Sequence, residues 1–344
     1  MTKKFDVVIG NPPYQEEAQG DGTRDTPIYH QFMDAAYEVG IKVVLVTPAR
    51  FLFNAGFTPK AWNEKMLADP HLSVPFYVRD SSALFPGTKI RAGIAVTYRD
   101  AEREGEAIDT FTPFPELNSI LHKVRESGTA FIESVGMTSS RSYRYTEKLY
   151  EDHPEALQMR PDGNAALVNT NAFEMFSFLY HEGKPMDGAQ YVQVLGVIKN
   201  KRFRRWIRAE YLAGPESFNK YKVALPAANE NNKLGWMAAP EIVEPGVAVT
   251  QTFLTIGAFT TEAEARACLS YVKTKFARAM LYVLKVTQHN PRSTWKFVPA
   301  QDFSSASDIN WSTSIREIDA QMYAKFGLDA EEIAFIESHV TPME

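Results

Sequence analysis

The sequence predicts an α/β protein, with a helix-backed, doubly wound sheet first and an α+β domain after it. Three observations predict this. Phe5–Ile9 ("FDVVI") and Ile41–Thr47 ("IKVVLVT") are short continuous apolar runs, the pattern of strands buried in a parallel sheet. Between them, Ile28, Phe32, Ala35, Ala36 and Val39 recur at helical spacing. From about Ser127 that alternation gives way to mixed segments, which places a domain boundary near residue 127 and domains over 1–126 and 127–344.

In chain order, the first strand runs into a polar loop, Gln15 to Pro27, containing Gly20 and Gly22. The helix Ile28–Val39 follows, and Gly40 stops it. After the second strand, Pro59–Leu67 is expected as a helix, and Ser73–Arg79 and Ile90–Tyr98 ("IRAGIAVTY") as strands. Strand–helix–strand alternation of this kind argues for a doubly wound sheet. In the second part the expected elements are a helix near Ala172–Tyr180, a hairpin over Tyr191–Ile207, and strands at Lys222–Leu225 and Val247–Ile256. One long helix over Glu262–Lys285 carries Leu269, Val272, Phe276, Met280 and Val283 on one stripe. Helices at Thr313–Lys325 and Ala330–Ser338, separated by Gly327, close the chain.

Composition bounds the function. The 344 residues are 44 % hydrophobic and 23 % charged, ordinary values for a globular protein with room for more than one domain. No run of about eighteen apolar residues suggests a membrane span, and no apolar segment follows Lys3 and Lys4 as in a signal peptide, so the default is a cytoplasmic protein. The single cysteine, Cys268, leaves no intrachain disulfide and no thiolate metal cluster. A net charge of −5 does not advertise nucleic-acid binding, yet phosphate contact needs only a local basic surface.

The sharpest feature is "DVVIGNPPY", where the first strand ends in Asn11, Pro12, Pro13 and Tyr14. The carboxyl end of a strand in an open α/β sheet is where such folds bind ligands. Two prolines remove two backbone donors, leaving their carbonyls without local competition. Asn11 adds a side-chain acceptor and Tyr14 a flat apolar face. Two acceptors beside an aromatic ring suit an exocyclic amino group on a stacked base.

These residues resemble the catalytic motif of the N6-adenine DNA methyltransferases of restriction–modification systems, in the branch with a fused target-recognition domain. The resemblance is carried by Phe5–Tyr14. It extends through "VVLVTPARFL" (Val43–Leu52) and "LFPGTKIRAGIAVTYR" (Leu84–Arg99), and includes the later stretches "TQHNPRSTWKFVP" and "YAKFGLDAEEIAFIES". It implies a partial Rossmann-like methyltransferase sheet followed by an α+β target-recognition domain, with S-adenosylmethionine as cofactor and double-stranded DNA as partner. It also implies roles. Asn11 and the Pro12 carbonyl accept hydrogen bonds from the adenine N6 amine, Pro13 completes the motif, and Tyr14 stacks on the flipped base. Two hydrogen bonds to the amine favour a tetrahedral nitrogen whose lone pair attacks the methyl group, with no metal required. Phe85 is the candidate second stacking residue; a core phenylalanine at a strand end is the alternative.

That family places its cofactor elements, an aromatic-x-Gly-x-Gly turn and a ribose-binding carboxylate, before the NPPY strand. Here only Met1–Lys4 precede it, and the sole Gly-x-Gly, Gly20-Asp21-Gly22, follows it in a polar loop. The expectation is therefore a chain that begins inside its catalytic sheet with an incomplete S-adenosylmethionine site: either a truncated piece, or one that works with a partner polypeptide carrying the cofactor half. A sheet cut there would expose an apolar edge or face. Alone, the chain is expected to transfer little or no methyl.

For the recognition half, "VIKNKRFRRWIRAEY" concentrates Lys199, Lys201, Arg202, Arg204, Arg205 and Arg208 with no acid among them, and Arg202 and Arg204 would share one face of a hairpin. DNA contact and a charge-protected edge strand both fit. A second patch holds Lys285, Gln288, His289, Asn290, Arg292 and Lys296, of which Gln288, Asn290, Arg292 and Lys296 are the DNA-contact candidates, types that suit base and phosphate contacts but also helix C-termini. Rival readings are an inert DNA-recognition or specificity fragment, a nuclease built on Pro161-Asp162 and Glu182-Gly183-Lys184, and a protein-glutamine methyltransferase, whose substrate amide also presents an NH2 group.

Overall fold

The computed structural model describes residues 4–16, 26–54, 57–88, 90, 92–103, 105, 107–159, 166–228, 233–285 and 289–343. The chain divides into two compact units, Met1–Pro115 and Glu116–Glu344. In the first, strand β1 (Phe5–Gly10) is followed by a short antiparallel pair, β2 (Gln15–Glu16) and β3 (Thr26–Pro27). Helix α1 (Tyr29–Val39), β4 (Gly40–Pro48), α2 (Lys60–Leu67), β5 (Leu72–Val78) and β6 (Ile94–Asp100) complete the unit. The sheet order is β1-β4-β6-β5.

Strands β1 and β4 pair in parallel, as expected of a strand–helix–strand unit. β6 departs from the expected doubly wound pattern: it lies antiparallel to both β4 and β5. The physical reason is the connection. Between β5 and β6 the described chain holds only the 3-10 turn Ser81–Ala83, no crossover helix, so the strand returns as a long hairpin arm.

β1 is not buried. It forms the edge of the sheet, with Phe5, Val7 and Ile9 respectively 56 %, 52 % and 77 % exposed. Helices α1 and α2 cover the opposite face, where Val43 and Leu45 meet Tyr29, Met33, Phe51, Trp62 and Met66. Cross-strand partners share a face, so Ile9 lies in a row with Val44 and Tyr98, and Val46 with Val96 and the exposed Phe76. The apolar edge expected from the sequence is present. An open edge is a template for pairing. Val7→Lys is accordingly expected to reduce concentration-dependent self-association in sedimentation velocity without lowering the unfolding temperature; unchanged association would show that the edge does not self-pair.

Helix α1 buries a different stripe from the expected one. Tyr29, Met33 and Tyr37 point inward, while Phe32 is exposed. Both stripes are apolar enough to be buried, and the tyrosine rings win because Tyr29 packs edge-on against Trp62 and tilted against Phe51. Gly40 ends the helix in an extended conformation (φ −101°). It is needed for close approach, since a Cβ there would sit 2.8 Å from the Val8 side chain.

The second unit starts with α3 (Pro115–Glu126), whose Lys123 Nζ reaches Glu332 at 2.6 Å and Asp329 at 3.4 Å. That anchorage puts the division ahead of α3 instead of after it. Short elements follow: β7 (Met137–Thr138), β8 (Arg144–Tyr145), α4 (Glu147–Asp152), α5 (Glu155–Met159) and α6 (Ala172–Met175), the last ending well before Tyr180. The expected hairpin is β9 (Tyr191–Ile198) and β10 (Lys201–Arg208). Lys199 and Asn200 form its two-residue turn with φ of 47° and 63°, the mirror-type geometry that matches strand twist.

β11 (Leu212–Ala213) pairs with β8, and β12 (Tyr221–Pro226) lies between β13 (Glu241–Val243) and β15 (Phe253–Phe259), with β7 beyond β15. The single strand expected over Val247–Ile256 is two strands in two sheets, because the chain turns after β14 (Val247–Val249), which joins β9 in parallel.

The expected long helix is also two, α7 (Glu262–Lys273) and α8 (Lys275–Tyr282), broken at Thr274. Thr274 caps α8 by accepting the Ala277 N–H at 3.1 Å. Helices α9 (Ile315–Lys325) and α10 (Ala330–His339) close the unit, with Gly327 at positive φ between them. Asp319 of α9 accepts the Lys275 and Phe276 N–H groups at 3.0 and 2.9 Å, completing the cap of α8.

Asp319 is buried, and desolvation raises its pKa to about 6. A carboxyl held above its ordinary value binds its proton more tightly folded than unfolded. Its contribution to stability is therefore full below about pH 4 and is lost as pH rises to about 6. Urea unfolding of wild type and Asp319→Asn is expected to show wild type losing about 3 kcal/mol relative to the variant across that window. A difference independent of pH would contradict the assignment.

Candidate functional site

β1 and β4 run parallel, so their carboxyl ends emerge side by side, and Gly10 pairs with Leu45 just before both strands end. Beyond them lies a cleft of about 480 Å3, lined by Asn11, Pro12, Pro13, Tyr14, Gln15, Pro48, Arg50 and Ile90. The four motif residues expected at the site are thus together on one wall.

The Asn11 side chain is exposed and makes no hydrogen bond among the described residues. The Pro12 and Pro13 carbonyls likewise accept no backbone hydrogen bond there. Tyr14 is pinned through its backbone carbonyl, which accepts the Ile28 N–H at 3.2 Å. Its hydroxyl is buried without a partner among the described residues, and desolvation raises its pKa. Among the described lining residues of the cleft there is no Asp, Glu, His, Cys or Lys. The cleft offers unclaimed acceptors beside a ring, which can hold and orient a planar group bearing NH2.

Arg50, Pro48 and Ile90 were not foreseen as site residues. Arg50 belongs to the 3-10 turn Ala49–Phe53 that leaves β4, and the Ala49 N–H is tied to the Gly93 carbonyl at 3.0 Å. The signal was a lone arginine two residues past the strand, inside "VVLVTPARFL". Phe85 sits half-buried in the turn Leu84–Thr88, where its carbonyl accepts from Thr88 Oγ1 at 2.8 Å. It belongs neither to the cleft lining nor to the apolar core cluster of this unit.

The cleft does not fit a complete S-adenosylmethionine site. Its described lining residues include no carboxylate for a ribose diol and no glycine turn, and Gly20-Asp21-Gly22 lies outside the described residues.

In the second unit the basic strand is largely neutralised. Arg202 and Arg204 do share a face: both reach Glu241, at 2.6 and 3.6 Å, and Arg204 also pairs with Glu244. Arg205 pairs with Glu182 at 2.7 Å and Arg208 with Asp187 at 3.2 Å. Lys199 and Lys201 are exposed and form no ion pair among the described residues. The acids come from β13 and flanking loops, tens of residues away in sequence, which a local charge count cannot register.

Asn290 corrects the expectation for the second patch. It is fully buried, its Nδ2 donates to the Pro226 carbonyl at 3.1 Å, and its Oδ1 accepts from Thr294 Oγ1 and Trp295 Nε1 at 3.1 and 2.8 Å. It is a core bracket with nothing left for a base. Arg292 pairs with Glu133 at 3.1 Å, Lys296 is exposed beside the Phe297 ring, and Gln288 lies outside the described residues. Of the nuclease spelling, Pro161-Asp162 lies outside the described residues; Glu182 is paired with Arg205, and Lys184 lies over Trp206. No described helix is long and apolar enough to cross a membrane.

Residues 1–85 match the family described as Eco57I restriction-modification methylase. No curated protein matches the chain. Among solved structures, the type IIL restriction-modification enzyme MmeI in complex with DNA aligns at 9 % identity and a TM-score of 0.41, over 97 % of this chain and 56 % of that one. The type IIG restriction endonuclease BpuSI aligns at 11 % identity and a TM-score of 0.34, over 97 % and 53 %. The chain spans about half the length of each, and likenesses this distant fix neither fold nor function.

Proposed function

We propose that the chain is the base-amine-binding part of an N6-adenine DNA methylase of the restriction–modification kind, with its cleft in Met1–Pro115 and DNA recognition in Glu116–Glu344. One observation carries the reading. The unclaimed acceptors of Asn11 and Pro12 stand beside the Tyr14 ring at the carboxyl end of a parallel strand, inside the segment that matches a methylase family. In this reading Asn11 Oδ1 and the Pro12 carbonyl each accept one N6–H of a flipped adenine. Tyr14 stacks on its face, and the paired hydrogen bonds leave the nitrogen lone pair free for transfer.

S-adenosylmethionine is the methyl donor that the resemblance implies, and a methylase family in general is consistent with it. Among the described lining residues none would hold it, so a segment carrying the cofactor half, on this polypeptide or another, is proposed, for which the exposed Phe5, Val7 and Ile9 edge is a fitting place to dock. Double-stranded DNA is the proposed substrate. Lys199, Lys201 and Lys296 serve as phosphate contacts, because the arginines of β10 are committed to carboxylates.

Titration of the full chain with deoxynucleosides and a blocked glutamine amide, followed by ligand-observed NMR, tests the reading. Deoxyadenosine is expected to bind at least about tenfold tighter than thymidine, which lacks an exocyclic amine, a gap of roughly 1.4 kcal/mol. Glutamine amide binding ahead of deoxyadenosine would replace this reading with protein-glutamine methylation.

A further inference from the structure

Among the described lining residues Arg50 is the one ionised side chain, and it has no obvious structural duty. Its Nε is buried with no hydrogen-bond partner, and Arg50 forms no ion pair among the described residues. Arg99 of the same unit shows the ordinary arrangement: its Nε meets Asp69 at 2.7 Å and its guanidinium lies over the Tyr37 ring. A buried donor left unmade costs stability, so an arginine kept this way points to a ligand that completes it.

We infer that Arg50 binds a phosphate of the nucleotide whose base enters the cleft, so that the site takes an adenine nucleotide within a strand in preference to a free base or an amide side chain. The inference rests on the base-binding reading above. The planar guanidinium presents paired donors that match phosphate oxygens. No acid among the described lining residues opposes an anion there. The backbone carrying Arg50 is fixed by the 3-10 turn, with the Asn54 N–H returning to the Arg50 carbonyl, which roots the side chain at the mouth of the two parallel strands. The base amine and the phosphate would then be held from two strand ends at once, Asn11 beyond β1 and Arg50 beyond β4.

The test compares deoxyadenosine, its 5′- and 3′-monophosphates, deoxycytidine monophosphate and S-adenosylhomocysteine on wild type, Arg50→Ala and Arg50→Lys, by ligand-observed NMR at low salt. Wild type is expected to prefer one adenine monophosphate over the nucleoside by at least about tenfold. Arg50→Ala is expected to bring the two within about twofold of each other, and Arg50→Lys to keep part of the preference, because it retains the charge but not the fork. Thermal unfolding of Arg50→Ala is expected at or above the wild-type temperature, which separates lost binding from lost folding.

Equal affinities in wild type, or a preference that survives Arg50→Ala, would overturn the inference and leave adenine binding intact. Loss of S-adenosylhomocysteine binding in place of the phosphate preference would overturn it as well, assigning Arg50 to the amino-acid carboxylate of the cofactor. Phosphate-dependent binding through Arg50 that ignores the base would support the anion site and sink the adenine reading. Absence of binding by every nucleotide would overturn both.

Discussion

Asn11→Ala is expected to weaken deoxyadenosine binding by about 1–3 kcal/mol, roughly five- to 150-fold, the range for losing a base-edge hydrogen-bonding group. The side chain is exposed and makes no hydrogen bond among the described residues, so its removal costs the fold almost nothing. The unfolding temperature should be unchanged. That pairing of a large binding loss with an unaltered fold distinguishes a ligand-facing amide from a structural one. Asn11→Asp, which keeps an acceptor at the same place, is expected to retain more binding than Asn11→Ala. If Asn11→Ala binds as wild type does, Asn11 does not hold the amine.

Asn290→Ala is expected to do the reverse. Truncation leaves the Trp295 indole N–H and the Pro226 carbonyl unpaired in the interior and opens a small cavity beside Trp295, which is itself fully buried. Each orphaned group costs about 1–3 kcal/mol, so the variant should lose roughly 3–5 kcal/mol, and its unfolding temperature should fall by on the order of 10 °C. Duplex DNA affinity of the still-folded fraction should not change. A variant with full stability but weakened DNA binding would restore Asn290 to the interface.

Much of the first unit was legible because its signals are local. The apolar runs at Phe5–Ile9 and Ile41–Thr47 are strands, the helix between them ends at Gly40, and the motif Asn11–Tyr14 falls at a strand end beside a cleft. The hairpin of β9 and β10 was equally plain, since an apolar run and a basic one flank a turn that Asn200 favours. What failed depends on residues far apart in sequence. The direction of β6 is set by a helix-free connection, and the stripe that α1 buries is set by Phe51 and Trp62. The break at Thr274 was local but hidden, because an apolar stripe continues across it while the cap comes partly from Asp319. The arginines of β10 read as a DNA track until Glu241 and Glu244 are brought alongside. Arg50 escaped notice because a single arginine in an apolar loop says nothing of its partners until the burial of its Nε is seen.

The central claim is that this cleft holds an exocyclic amine. The most direct measurement compares deoxyadenosine with purine 2′-deoxyriboside, the same nucleoside lacking only the 6-amino group, on wild type and Asn11→Ala. Wild type is expected to bind deoxyadenosine at least about tenfold tighter, and Asn11→Ala to narrow that gap markedly, because an acceptor of the amine is gone. Equal binding of the two nucleosides by wild type would contradict the account, for it would mean that the Asn11–Tyr14 cleft does not read the amine at all.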